Sequence, residues 1–141
     1  MRLRLGPILI AAVVGLVALG LTGCGGGTRS PICAAQDSLR AALRAVDAAR
    51  SADSSGDSAA MSREMNEVER HLGVARANLA GAAADPNSAS AARAMLEAAN
   101  YLQFIVDDSR ASGTVDFPIA QFAARELNRA GSGAGGAPLN C

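Results

Sequence analysis

Apolar and polar residues alternate with helical spacing through most of the chain. After a first apolar run at positions 5–21, four segments carry apolar residues at steps of three and four, the spacing of one face of an α-helix. Brief polar turns separate the segments, which favours antiparallel neighbours. We therefore predict an all-α fold, a small antiparallel four-helix bundle. The predicted helices cover about 31–52, 58–84, 89–111 and 117–130.

The second of these segments has the most regular pattern. Its apolar residues are separated by four, three, four, three and four positions, as in a heptad repeat. They are Met61, Met65, Val68, Leu72, Ala75 and Leu79. Such a seam could pack inside the bundle or pair with a copy of the same chain, so the pattern leaves a homo-oligomer open.

Residues that favour helix starts stand before three of the segments. Ser30 and Pro31 suit the N-cap and the first position of the first helix. Either Asp57 or Ser58 can cap the second helix, and Asp116 precedes the last one. These residues support the predicted start of each helix.

The apolar run at 5–21 differs from the helical segments, because Arg2 and Arg4 precede it and small residues follow it, as in a secretory signal. Its end, Leu21-Thr22-Gly23-Cys24, resembles the lipobox of bacterial lipoproteins. The resemblance implies cleavage just before Cys24, a diacylglycerol on its sulfur, and an acyl group such as palmitate on its new amino group. An ordinary secretory signal and an uncleaved anchor helix are the alternatives.

The resemblance divides the chain into four parts. These are a signal peptide at 1–23, the lipidated cysteine with a flexible glycine-rich tether at 24–30, a helical domain at 31–130, and a glycine-rich tail at 131–141 that ends in cysteine. It also implies a protein anchored by lipid to the extracytoplasmic side of a bacterial membrane. In a host with two membranes we expect the outer membrane, facing the periplasm, since Gly25 stands where retention in the inner membrane usually requires Asp. In a host with one membrane we expect the cell membrane.

Two cysteines remain if Cys24 carries lipid. Cys33 lies at the start of the helical domain and Cys141 is the last residue. An even number of antiparallel helices returns the end of the chain to the pole where it began, and an exported protein meets an oxidising environment. We predict a disulfide between Cys33 and Cys141. Two free thiols, or a bridge from Cys141 to another molecule, are the alternatives.

Charge and chemistry exclude several classes of function. The formal charge is zero, and removal of Arg2 and Arg4 brings it to about −2, whereas nucleic-acid binding usually requires a strongly basic face. His71 is the single histidine, and Glu67 stands four residues before it, so a weak ion pair is the simplest account. We predict no metal site, no cofactor, no nucleic-acid partner and no enzymatic activity.

The aromatic residues of the helical domain lie in its last third. They are Tyr101, Phe104, Phe117 and Phe122. We expect them to fill the core, because an alanine-rich bundle needs some bulky side chains. The alternative is a patch for docking or ligand binding.

The sequence leaves two functions open. The first is a non-enzymatic interaction or structural role at the cell envelope, in contact with another envelope protein. The second is a carrier or sensor that binds a small apolar ligand. Closely packed alanine seams would favour the first, and an open pocket bordered by Tyr101 and Phe104 would favour the second.

Overall fold

The computed structural model describes residues 30–132, Leu139 and Cys141. The predicted signal peptide, Cys24 and the tether up to residue 29 lie outside the described residues, as do 133–138 and 140. The described part forms an all-α four-helix bundle, which confirms the predicted fold class. Each helix starts at the predicted residue and ends within two residues of the predicted end. The helices are α1 (Pro31–Ser54), α2 (Ser58–Ala82), α3 (Ala89–Ser112) and α4 (Phe117–Gly131).

The four helices form two antiparallel hairpins. Helix α1 packs chiefly against α2, and α3 packs chiefly against α4. Contacts between α2 and α3 join the hairpins, and α1 also touches α3 and α4, so α2 and α4 occupy opposite corners. No further helix of the described region covers the outer side of the α3–α4 hairpin.

The heptad-like seam of α2 lies in the core. All six of its apolar residues are buried, and Val68, Ala75 and Leu79 have no exposed surface. The seam therefore packs against the other helices of its own chain and is not available to pair with a second copy. Fully buried alanines fill many of the remaining contacts, and they are Ala35, Ala42, Ala49, Ala92, Ala98, Ala99, Ala123 and Ala130.

Side-chain caps start two of the helices. The Asp57 carboxylate accepts a hydrogen bond from the Ala60 N–H at 2.8 Å, and the Asp116 carboxylate accepts one from the Ile119 N–H at 3.4 Å. Ser30 occupies the predicted N-cap position of α1, but its side chain makes no capping hydrogen bond. The start of α1 therefore depends on the proline that follows, whose missing N–H costs nothing in the first turn.

A disulfide closes the pole where α1 begins. Cys33, in the first turn of α1, is bonded to Cys141, and their Cα atoms are 5.4 Å apart. The intramolecular pairing predicted from the sequence is thus present in the structure. Leu139 is half-buried and packs against the core beside it. The end of the chain is therefore attached to the pole from which the predicted tether leaves.

Candidate docking groove

An open apolar groove runs along the outer side of the α3–α4 hairpin. Its volume is about 660 Å³. Aromatic and aliphatic side chains supply most of its surface, and two polar side chains stand on the α3 side. The lining residues are Glu97, Asn100, Tyr101, Phe104, Ile119 and Phe122.

Three of the four aromatic residues line this groove and do not fill the core. Tyr101 is 38% exposed, Phe104 is 53% exposed and Phe122 is 47% exposed. The expectation of core packing is therefore wrong for these three. Leu102 and Ile105, their neighbours on α3, have no exposed surface and occupy the interior positions instead. Since successive helical residues are about 100° apart, the aromatic rings fall on an adjacent face that none of the described helices covers.

Phe117 lies apart from the other aromatic residues. It is half-buried in the first turn of α4 and packs against the core. The guanidinium carbon of Arg50, on α1, is 3.8 Å from the centre of its ring, which is cation–π geometry. The predicted four-residue patch thus divides into a groove of three rings and one ring that joins α4 to α1.

Phe122 is held in the groove by two contacts. Its ring centre is 5.8 Å from that of Tyr101, with the planes tilted by 31°. The guanidinium carbon of Arg125, in the next turn of the same helix, is 4.2 Å from the ring centre. A tilted aromatic pair and a cation–π contact each contribute roughly 0.5–1 kcal/mol at such exposed sites. These contacts stabilise an aromatic side chain that remains half in water.

Glu97 and Asn100 give the groove its polar edge. Together with Tyr101 and Phe104 they recur at helical positions i, i+3, i+4 and i+7 of α3, so the four side chains share one face over two turns. Neither Glu97 nor Asn100 has a side-chain hydrogen bond or ion pair with any other described residue. Neither Glu97 nor Asn100 was among the residues predicted from the sequence, although their spacing from the two aromatic residues could have revealed them.

His71 belongs to a small charged cluster on α2, away from the groove. Arg70 donates a hydrogen bond to the Glu67 carboxylate at 2.6 Å, whereas the His71 ring nitrogen lies 3.9 Å from the same oxygen. Arg70 is thus the main partner of Glu67, and its hydrogen bond lowers the pKa of that carboxyl. Burial lowers the pKa of His71, and the charge on Arg70 lowers it further, against an opposing effect of Glu67. Within the described residues, no three potential ligands gather as they would around a metal ion.

The predicted lipidation residue, Cys24, lies outside the described region. None of the described helices has the length and apolar character needed to cross a membrane. Comparisons of the chain with protein-family models, with curated proteins and with solved structures find no match.

Proposed function

We propose that this protein is a lipid-anchored, extracytoplasmic lipoprotein that docks a protein of the cell envelope and catalyses no reaction. The observation that carries the docking role is the groove of exposed Tyr101, Phe104 and Phe122 on the α3–α4 hairpin. Isolated exposed apolar residues are common on proteins, but a contiguous apolar patch usually marks an interaction site.

Sequence features on both sides of the predicted cleavage site support the proposed lipid anchor. The motif Leu21-Thr22-Gly23-Cys24 has the lipobox pattern, and residues 25–29 can reach at most about 17 Å when extended. The bundle would then stay close to the membrane surface. The Cys33–Cys141 disulfide suits an oxidising compartment outside the cytosol.

The shape of the groove favours a protein partner over a small ligand. Pockets for small molecules usually bury 70–90% of a drug-sized ligand, mainly by enclosing it. Here the three rings that form the walls stay 38–53% exposed, and the groove lies outside the alanine-lined core. A surface that is open along its length can accept a helix or a loop of another protein.

The cavity volume supports the carrier role as the second candidate. About 660 Å³ falls within the usual range for ligand pockets, and the pocket is bordered by Tyr101 and Phe104, as that role requires. Mass spectrometry of protein purified from membranes under native conditions would test it. A bound apolar compound that is lost with Phe104→Ala, but kept with Val74→Ala, would favour the carrier over the docking role.

Two measurements in cells test the proposed function. Mass spectrometry of the N-terminus should find acyl chains on Cys24, and Cys24→Ser should release the protein from the membrane fraction. For docking, Phe104 is replaced by the photo-crosslinking residue benzoylphenylalanine. Val74, which is 44% exposed on α2, receives the same replacement as a control.

Irradiation should join the position-104 variant, but not the position-74 variant, to a defined envelope protein. An unmodified Cys24 would refute the anchor. Equal crosslinking patterns at both positions would refute docking at the groove.

A further inference from the structure

We infer that the groove binds a second copy of this chain, in a two-fold dimer in which Glu97 of each copy pairs with Arg125 of the other. This inference rests on the proposed function, because it names the protein that the groove docks. It follows from the way charges and rings are distributed across the two helices of the hairpin.

The two sides of the groove have opposite charges at the same position along the helix axes. Tyr101 on α3 and Phe122 on α4 are level, since their rings are 5.8 Å apart. The two helices run in opposite directions, so Glu97, four residues before Tyr101, is level with the α4 turn that follows Phe122. That turn contains Arg125. The groove therefore has an acid, Glu97, among its α3 lining residues and a base, Arg125, against the Phe122 ring at its α4 side.

A two-fold axis parallel to the helices would bring these groups together. Such an axis places α3 of one copy opposite α4 of the other and leaves the position of every residue along the helix axis unchanged. Glu97 then faces Arg125, and Tyr101 faces Phe122, twice in each dimer. An interface that uses the same patch on both copies must be complementary to itself in this way.

The pairing groups are free to take a new partner. Glu97 lies outside ion-pair distance of any other described residue, although Arg93 and Arg129 stand with it around a neighbouring cavity. Arg129 instead pairs with Glu126 at 3.4 Å, and the Arg93 side chain donates to the Ala89 carbonyl. The described contact of Arg125 is with the Phe122 ring. Glu97 and Arg125 are therefore complementary charges that have no charged partner among the described residues.

The same axis agrees with the proposed membrane anchor. Because it runs along the helices, both copies have the disulfide-bonded pole, and hence both tethers, at one end of the dimer. Both lipid anchors can then enter one membrane. An axis across the helices would place the two tethers at opposite ends, where the short chain at 25–29 could not bring both to one membrane.

The size of the hairpin face indicates a weak dimer that the membrane would strengthen. Helices of 24 and 15 residues, each about 10 Å wide, present a face on the order of 600 Å². A stable interface usually buries about 800 Å² on each partner. Confinement of both copies to one membrane raises their effective concentration, so a smaller interface is sufficient there.

The test uses the lipid-anchored protein purified from membranes and placed in phosphatidylcholine vesicles, with benzoylphenylalanine in place of Phe104. Amine crosslinkers are unsuitable, because the chain contains no lysine. Irradiation should give a product of twice the chain's mass. The reversals Glu97→Arg and Arg125→Glu, made separately, should each lower its yield about tenfold, because like charges then face each other.

Mixing the two charge-reversed variants, Glu97→Arg and Arg125→Glu, is the decisive part of the experiment. In a mixed dimer the new arginine of the Glu97→Arg copy faces the new glutamate of the Arg125→Glu copy. In the second pair, Arg125 of the Glu97→Arg copy faces Glu97 of the Arg125→Glu copy. Both pairs therefore again join opposite charges. The mixture should recover the parent yield to within about twofold, as expected when the opposite charges are restored.

A reversal on another helix provides the matched control. Glu64→Arg, on α2, should leave the yield of the crosslinked dimer unchanged, because α2 lies outside the α3–α4 face. Circular dichroism must show equal helix content in all variants, so that a lost dimer is not the result of a lost fold.

The outcomes separate this inference from the proposed function. A dimer that persists in both single reversals, or a mixture that stays monomeric, would overturn the inference. So would a parent chain that gives no dimer in vesicles while its position 104 crosslinks to a different protein in cells, and in that case the proposed docking role would stand. Failure of the anchor and of crosslinking in cells would instead remove the proposed function, whatever the vesicles show.

Discussion

Two substitutions that lie two residues apart on α3 should have very different effects on stability. Leu102 has no exposed surface, whereas Phe104 is 53% exposed in the groove. If the groove is a binding surface and Leu102 belongs to the core, Leu102→Ala will destabilise the bundle and Phe104→Ala will hardly change it. The two variants therefore test directly the distinction between core and groove.

The expected magnitudes follow from burial. Truncation of a fully buried leucine to alanine costs about 2–5 kcal/mol, from the lost transfer free energy and from the cavity left behind. Complete burial of a phenylalanine contributes about 1.5–3 kcal/mol, so a half-exposed ring loses on the order of 1 kcal/mol. The higher helix propensity of alanine recovers roughly 0.5 kcal/mol of this at position 104. We expect a loss of about 3 kcal/mol for Leu102→Ala and about 0.5 kcal/mol for Phe104→Ala.

Thermal unfolding followed by circular dichroism provides the assay. For a domain of this size, 1 kcal/mol shifts the Tm by about 4–8 °C, so Leu102→Ala should lower it by at least about 12 °C and Phe104→Ala by less than about 4 °C. Each protein is measured at two concentrations, because a dimer would make the Tm depend on concentration. Similar losses for the two variants in the dilute samples would refute the division into core and groove.

Three further stability changes can be checked by urea unfolding. Gly73→Ala should raise the free energy of unfolding by about 1 kcal/mol, since a Cβ there meets no atom within 4 Å and alanine is the better helix former. Gly131→Ala should lower it by about 1 kcal/mol, because the new Cβ would lie 2.7 Å from the buried Gln36 amide nitrogen; the loss should vanish in a Gln36→Ala background. Reduction of the Cys33–Cys141 disulfide should cost about 2–4 kcal/mol, and a Cys33→Ser variant should no longer respond to the reductant.

Much of the fold could be predicted because helix formation is largely a local property. The three- and four-residue spacing of apolar side chains located all four helices, and the acidic caps Asp57 and Asp116 marked two of their starts. Because a bundle with an even number of antiparallel helices begins and ends at the same pole, the sequence also predicted that Cys33 and Cys141 lie close together, as they do. The lipid on Cys24 and the envelope location remain predictions from the N-terminal motif.

The groove could be predicted only in part. The sequence identified a cluster of aromatic residues but assigned them to the core, and it could not separate Phe117 from the other three. It also missed Glu97 and Asn100, because their helical spacing from Tyr101 and Phe104 indicates a shared surface only if those rings lie outside the core. Their significance depends on the rings that the fold places next to them.

The sequence by itself determined which residues form each helix and how the apolar residues are spaced along it. Both properties depend on residues within a few turns of one another. The tertiary structure decided which apolar face is covered. Helix α3 has two such faces, and the bundle covers the one with Leu102 while leaving Tyr101 and Phe104 outside. That choice depends on the number and arrangement of neighbouring helices, since a face remains open where the described bundle has no further helix to pack against it.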